Sequence, residues 1–255
     1  MVGEPNKMLI APVPALFAVQ QAAQGGGPQV LTLQFTNAEL NTKLYLDQAE
    51  VLAIRSALVP SWRTCLLRAG ISPRVLAEAR RHSASLSGVV HHLTNAGDLT
   101  DEELARLAHE RLTSALVPLY WNLTVPLLLP GRANDLANVV VRTPIQAALI
   151  ESGWCALALN SEERTLKPSD RFKGTMLQLI EHPCTPIGVT WSAAQRGLSL
   201  GEIARRLPLR WDILTGHVTG LVARRLLKPL GEVQNALEVS INRSSKIHDL
   251  PSRSA

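Results

Sequence analysis

Arg205, Arg206, Arg210, Arg224, Arg225 and Lys228 fall within one short stretch, Leu198 to Lys228, and are opposed there only by Glu202 and Asp212. That stretch has a local excess of +4, against +5 for the whole chain of 255 residues. Clustered guanidinium groups neutralise phosphates and release the counterions condensed on a nucleic acid. An ordinary solvated helix face would have the same composition, so charge alone leaves both readings open.

Other chemistry is sparse. His91 and His92 are adjacent, so on a helix they point about 100° apart and cannot easily share an ion. His82 and His109 have no full ligand set at helical spacing, and His182 and Cys184 flank Pro183 without further ligands nearby. No GxSxG, HExxH, P-loop or GxGxxG pattern occurs, and Gly25-Gly26-Gly27 has no Lys and Ser/Thr after it to form a phosphate loop. The expectation is therefore no catalytic residue, no metal and no cofactor, and a protein that is not an enzyme. Cys65, Cys155 and Cys184 lie far apart, which predicts free thiols and a reduced, cytoplasmic protein. With 46% apolar residues and a mean hydropathy of +0.08, the chain can build a core. Its longest apolar run, Ala115 to Leu129, contains Pro118, Asn122, Thr124 and Pro126 and is too short for a membrane helix.

The basic residues sit in "LSLGEIARRLPLRWDILTGHVTGLVARRLLKPL", which has the layout of a helix-turn-helix. Ser199 can cap the second helix with Glu202 at the capping-box position, and Leu207-Pro208-Leu209 makes the turn. A third helix follows, with Ile213, Leu214, Val218, Leu221, Val222 and Leu226 as its inward stripe. The closing "RRLLKPL" resembles the end of a winged-helix recognition helix, with the wing expected over 230–241. The outward positions would be Asp212, Thr215, Gly216, Thr219, Gly220 and Ala223, which are small or acidic. Base edges are read by Arg, Lys, Asn or Gln, so sequence-specific reading is not expected. Phosphate contacts remain open. The candidate nucleic-acid set is Arg205, Arg206, Arg210, Thr215, Thr219, Arg224, Arg225 and Lys228. Gly216 and Gly220, one turn apart, would also suit close approach by another helix.

Upstream, Pro14–Gln24 reads as a helix, stopped by the Gly run. Alternation over Val30–Phe35, Lys43–Leu46 and Glu50–Ile54 predicts a three-stranded antiparallel meander. Four helices should follow, Trp62–Ala69, Ser72–Ser83, Leu86–Asn95 and Thr100–Leu116, the last opened by a Thr100/Glu103 capping box. "RAGISPRVLAEAR" and "NAGDLTDEELARLA" repeat one helix–Gly–cap–helix rhythm. Val125–Leu129 reads as an edge strand because of Pro126. Ile145–Leu159 reads as a further helix, and a helix is also expected over 171–181.

Together the meander "VLTLQFTNAELNTKLYLDQAEVLAIRSA", the paired phrases "LLRAGISPRVLAEA" and "LTNAGDLTDEELARL", and "LVPLYWNLTVPLLLPG" make residues 9–152 resemble the PATAN family. That family is named for the N-terminal domain of PatA-type bacterial response regulators. Asp47-Gln48-Ala49 stands where a Gly-containing turn is usual in it. The resemblance implies a regulatory protein working through protein–protein contacts.

The expected architecture is α+β. A PATAN-like meander with inserted helices (1–159) is joined by a polar linker (160–170) to a winged-helix-like domain with a frayed tail (171–255). The expected function is that of a bacterial regulator, acting as a homodimer. It would bind double-stranded DNA mostly through phosphates, with no membrane association. A signalling scaffold that binds only proteins is the alternative.

Overall fold

The computed structural model describes residues 15–35, 37–120, 124–130 and 140–230. The chain divides into two compact units. One comprises the residues up to Ala158 together with Ala204–Trp211, and the other comprises Leu159–Ile203 together with the residues from Asp212 onward. The architecture is α+β, an antiparallel sheet near the N-terminus followed by mostly helical chain.

In the first unit, helix α1 (Ala15–Gln24) leads into strand β1 (Pro28–Phe35), followed by β2 (Thr42–Asp47) and β3 (Glu50–Arg55). With β4 (Thr124–Pro130) and the two-residue β5 (Thr143–Pro144) these form a five-stranded antiparallel sheet, ordered β4-β1-β2-β3-β5. The expected meander is present. Leu31, Leu33 and Phe35 on β1 and Leu44 and Leu46 on β2 are buried, and so are Thr32 and Tyr45 between them, so this part of the sheet is covered on both faces. β4 lies at the edge beside β1, where Pro126 costs no ladder hydrogen bond to a further strand. In the β2–β3 turn, Gln48 takes φ 57, a left-handed backbone.

The helices α2 (Trp62–Arg68), α3 (Pro73–His82), α4 (Leu86–Asn95) and α5 (Asp101–Leu116) match the expected spans closely. Each starts at a hydroxyl cap, Ser61, Ser72, Ser85 or Thr100, which accepts a backbone N–H three residues on. Thr100 and Glu103 form the full reciprocal box. The repeated Ala-Gly phrases are helix exits. Gly70 (φ 92) and Gly97 (φ 77) are left-handed, and the residue after each donates to a carbonyl five positions back. Leu66, Leu76, Val89, Leu93, Leu99 and Leu104 close this helical core. Helix α6 (Ile145–Ala158) completes the chain up to the division.

The second unit departs further from expectation. The polar stretch read as a linker holds α7 (Ser161–Thr165), with its own Asn160/Glu163 capping box. The helix expected over 171–181 is not formed. Residues Arg171–Gly174 are strand β6, with Phe172 fully buried between exposed Arg171 and Lys173, a period of two rather than 3.6. Then follow α8 (Pro186–Gln195), α9 (Leu200–Arg206), α10 (Trp211–Ala223) and β7 (Leu227–Leu230). β7 pairs antiparallel with the upstream β6, Arg171 facing Leu230 and Lys173 facing Lys228. The expected wing over 230–241 lies outside the described residues after Leu230, as does the tail. No helix among the described residues is long and apolar enough to cross a membrane.

Candidate nucleic-acid surface

The eight predicted residues do not share one setting. Arg205, Arg206 and Arg210 belong to the first unit, and Thr215, Thr219, Arg224, Arg225 and Lys228 to the second.

Thr215 and Thr219 correct the sequence reading, which placed them outward. Both are buried. Thr215 Oγ1 donates to the Asp212 carbonyl, and Thr219 Oγ1 is 3.1 Å from Glu163 Oε1 on α7 and from the Thr215 carbonyl. Threonines inside helices commonly bond backward in this way. The reason for the error is that α10 is covered on more than one side. Leu214, Val218 and Leu221 form the anticipated stripe, while Glu163 of α7, from the supposed linker, meets Thr219. Ile213, expected inward, is instead 38% exposed. Among the described residues no helix backbone approaches the two glycines closely. The nearest atom to a Cβ at Gly216 would be Glu163 Oε1 at 3.6 Å, and a Cβ at Gly220 would meet open space.

Two arginines already have carboxylate partners. Arg210 Nη1 donates to Glu151 Oε1 at 2.7 Å on α6, and His109 Nε2 lies 2.6 Å from the other oxygen of that carboxylate. Arg224 makes a two-pronged pair with Glu181 at 2.5 and 3.1 Å, which holds the Glu181 carboxyl below its usual range and raises Arg224. Phosphates would have to displace these partners.

Arg205, Arg206, Arg225 and Lys228 are exposed. Arg225 occupies the position that Gly70, Gly97 and Gly197 take at the exits of α2, α4 and α8. Its φ is 58, its N–H donates to the Val222 carbonyl, and Leu226 N–H donates to the Leu221 carbonyl. Left-handed backbone costs an L-residue about 1–2 kcal/mol. Lys228 stands directly opposite Lys173 across the β6–β7 ladder, and both side chains are exposed on one face. Lys173 was missed because its segment was read as a helix, and the three residues Arg171-Phe172-Lys173 are too few to fix a period. Arg171, on the same face, reaches the Gly197 carbonyl and Glu202.

No family model, curated protein or solved structure matches this chain. The functional reading therefore rests on the chemistry of the surface. Among the described residues no three His, Cys, Asp or Glu side chains converge as a metal site.

One titratable group lies behind the surface. Half-buried His217 on α10 is 3.3 Å from Thr190 Oγ1, and desolvation pushes its pKa down. The unfolded chain, with an ordinary value of about 6.5, then binds a proton more readily than the folded unit. Stability is full above that pH and is lost as pH falls below it. Melting followed from pH 7 to pH 5 should show a drop of a few degrees, and His217→Gln should flatten it.

Proposed function

We propose that the second unit is a winged-helix-like module that docks on double-stranded DNA through phosphate contacts made by Lys173, Lys228 and Arg225. It would serve a bacterial regulator whose first unit, resembling a PATAN domain, makes protein contacts. The observation that carries this reading is the Lys173–Lys228 pair. Like charges directly opposed on a ladder are destabilising, and a polyanion across them turns the cost into attraction. The left-handed Arg225 points the same way, since glycine would fold there at less cost. The winged-helix reading is supported by three successive helices followed by a strand, with β7 paired to β6 and Ser199 bridging to Arg171.

Ile213, Gly216, Gly220 and Ala223 offer no groups that read base edges. Binding should therefore be indifferent to sequence and steep in salt. With about three phosphates neutralised, affinity for a labelled random duplex should fall ~40-fold between about 50 and 200 mM salt, measured by fluorescence anisotropy. No binding at the lower salt, or binding that ignores salt, overturns the proposal.

The protein-contact reading of the first unit has its own support. Ile150, Trp154 and Leu157 on α6 lie four and three residues apart and are 62%, 70% and 73% exposed. A stripe of this kind suits an interface, and a second copy of the chain presents the same stripe to it. Sedimentation should find a dimer at micromolar concentration that Trp154→Glu converts to monomer. A wild-type monomer would remove the dimer from the reading.

A further inference from the structure

Independently of the DNA-facing surface, the first unit has a cavity of about 220 Å³, lined by residues of β2, β3, α2, α4, α5 and β5. That is room for roughly seven waters' worth of volume, near the lower end of the sizes small-molecule sites occupy.

Arg111, on α5, lines it. Its guanidinium lies 4.4 Å over the Trp62 ring, and Nε donates to the Pro60 carbonyl at 3.0 Å. A guanidinium has five N–H donors, and this bond uses one of them. Burial draws its pKa down to about 10, so the group is still a cation at neutral pH. Among the described residues no carboxylate pairs with it. Glu110, its neighbour in sequence, is engaged by Arg68 at 3.1 Å and Arg106 at 2.6 Å. A largely desolvated cation without a counter-charge is unfavourable, and the interior tolerates it when an anion completes the site.

The remaining lining narrows the class of anion. Val51, Leu86 and Val141 give apolar surface. Arg55 lies 5.6 Å from the centroid of the Tyr45 ring, adding a second cation backed by an aromatic ring. The combination matches an anion whose body is flat and apolar.

We propose that this cavity is a binding site for a small aromatic carboxylate of about one ring. The carboxylate would accept hydrogen bonds from the Nη groups of Arg111, and the ring would lie against Val51, Leu86 and Val141. Arg55 would add attraction without contributing a fork. Planar two-donor recognition of a carboxylate is the task for which arginine is better suited than lysine.

Benzoate and its neutral counterpart benzamide are the probes, titrated into the full chain by calorimetry. Benzoate should bind at least about ten-fold tighter than benzamide, because only the anion makes the charge-assisted bonds. Arg111→Met, which replaces an unpaired cation by an apolar chain of similar length, should stay folded and hold the two probes equally. The wild-type preference needs no variant and is decisive if that variant fails to fold. Arg55→Gln should weaken benzoate by less than Arg111→Met does. Equal binding of the two probes to the wild type overturns the proposal. So does a preference that survives Arg111→Met, or no binding of benzoate at tens of millimolar. None of these results bears on DNA binding, and loss of DNA binding does not bear on them.

Discussion

Replacing Lys173 and Lys228 by Gln and Arg225 by Gly together is expected to remove the salt-sensitive part of duplex binding while leaving the melting temperature at or above that of the parent chain. Each phosphate contact contributes about 0.9 to the slope of log affinity against log salt, so losing three flattens the slope by about 2.7. Stability should not suffer, because all three side chains are exposed and each sits where the fold gains nothing from it. Glycine at 225 relieves a backbone with φ 58, worth about 1 kcal/mol, and neutral side chains at 173 and 228 remove a repulsion of a few tenths. Anisotropy and calorimetry on the same preparation read both quantities. A triple variant that keeps the slope would move the contact to Arg205 and Arg206. One that melts several degrees lower would make the lysine pair part of the scaffold. Arg224→Gln is the useful contrast, because its charge is already engaged by Glu181 and its loss should change the slope little.

The second large effect is on stability. Phe172→Ala should cost about 3–5 kcal/mol, the range for emptying an aromatic site from a core. Phe172 is fully buried at the centre of β6, opposite Pro229 on β7. Without it the ladder loses the side chain that holds it against the helices, and with the ladder goes the Lys173–Lys228 face. The urea midpoint should fall with the slope unchanged, since the surface exposed on unfolding stays the same. A loss below about 1 kcal/mol would mean that β6 does not belong to the core.

Local signals in this chain were readable wherever one residue type has one physical use. The helix opening at Ser72, the Thr100/Glu103 capping box and the glycine exits at Gly70 and Gly97 are of that kind. The β1–β3 meander was equally legible, because the spacing by two of Leu31, Leu33, Leu44 and Leu46 is the period of a strand. Legibility failed where tertiary partners decide. Arg171-Phe172-Lys173 is too short to show a period, and it becomes a strand only because β7 returns beside it. The polar run after Asn160 looked solvated. Its Glu163 instead caps α7 and meets Thr219, one of the two threonines expected on the outside of α10 and found inside. At the candidate surface, charge content identified Arg225 and Lys228 but gave no sign that Arg210 and Arg224 were already paired.

Neither unit is continuous along the chain. In the first, Ser61 N–H and Thr64 Oγ1 donate to the Arg205 carbonyl, Arg68 donates to the Pro208 carbonyl, and Arg210 reaches Glu151. During synthesis at about 5–20 residues per second, Ser61, Thr64 and Arg68 must wait about 7–30 s for Ala204–Trp211 before they are satisfied. The other unit cannot close until Leu227–Leu230 has left the ribosome. A chain interrupted before Trp211 thus leaves both units unfinished. Translation yields either the fully closed fold or a product with both units open.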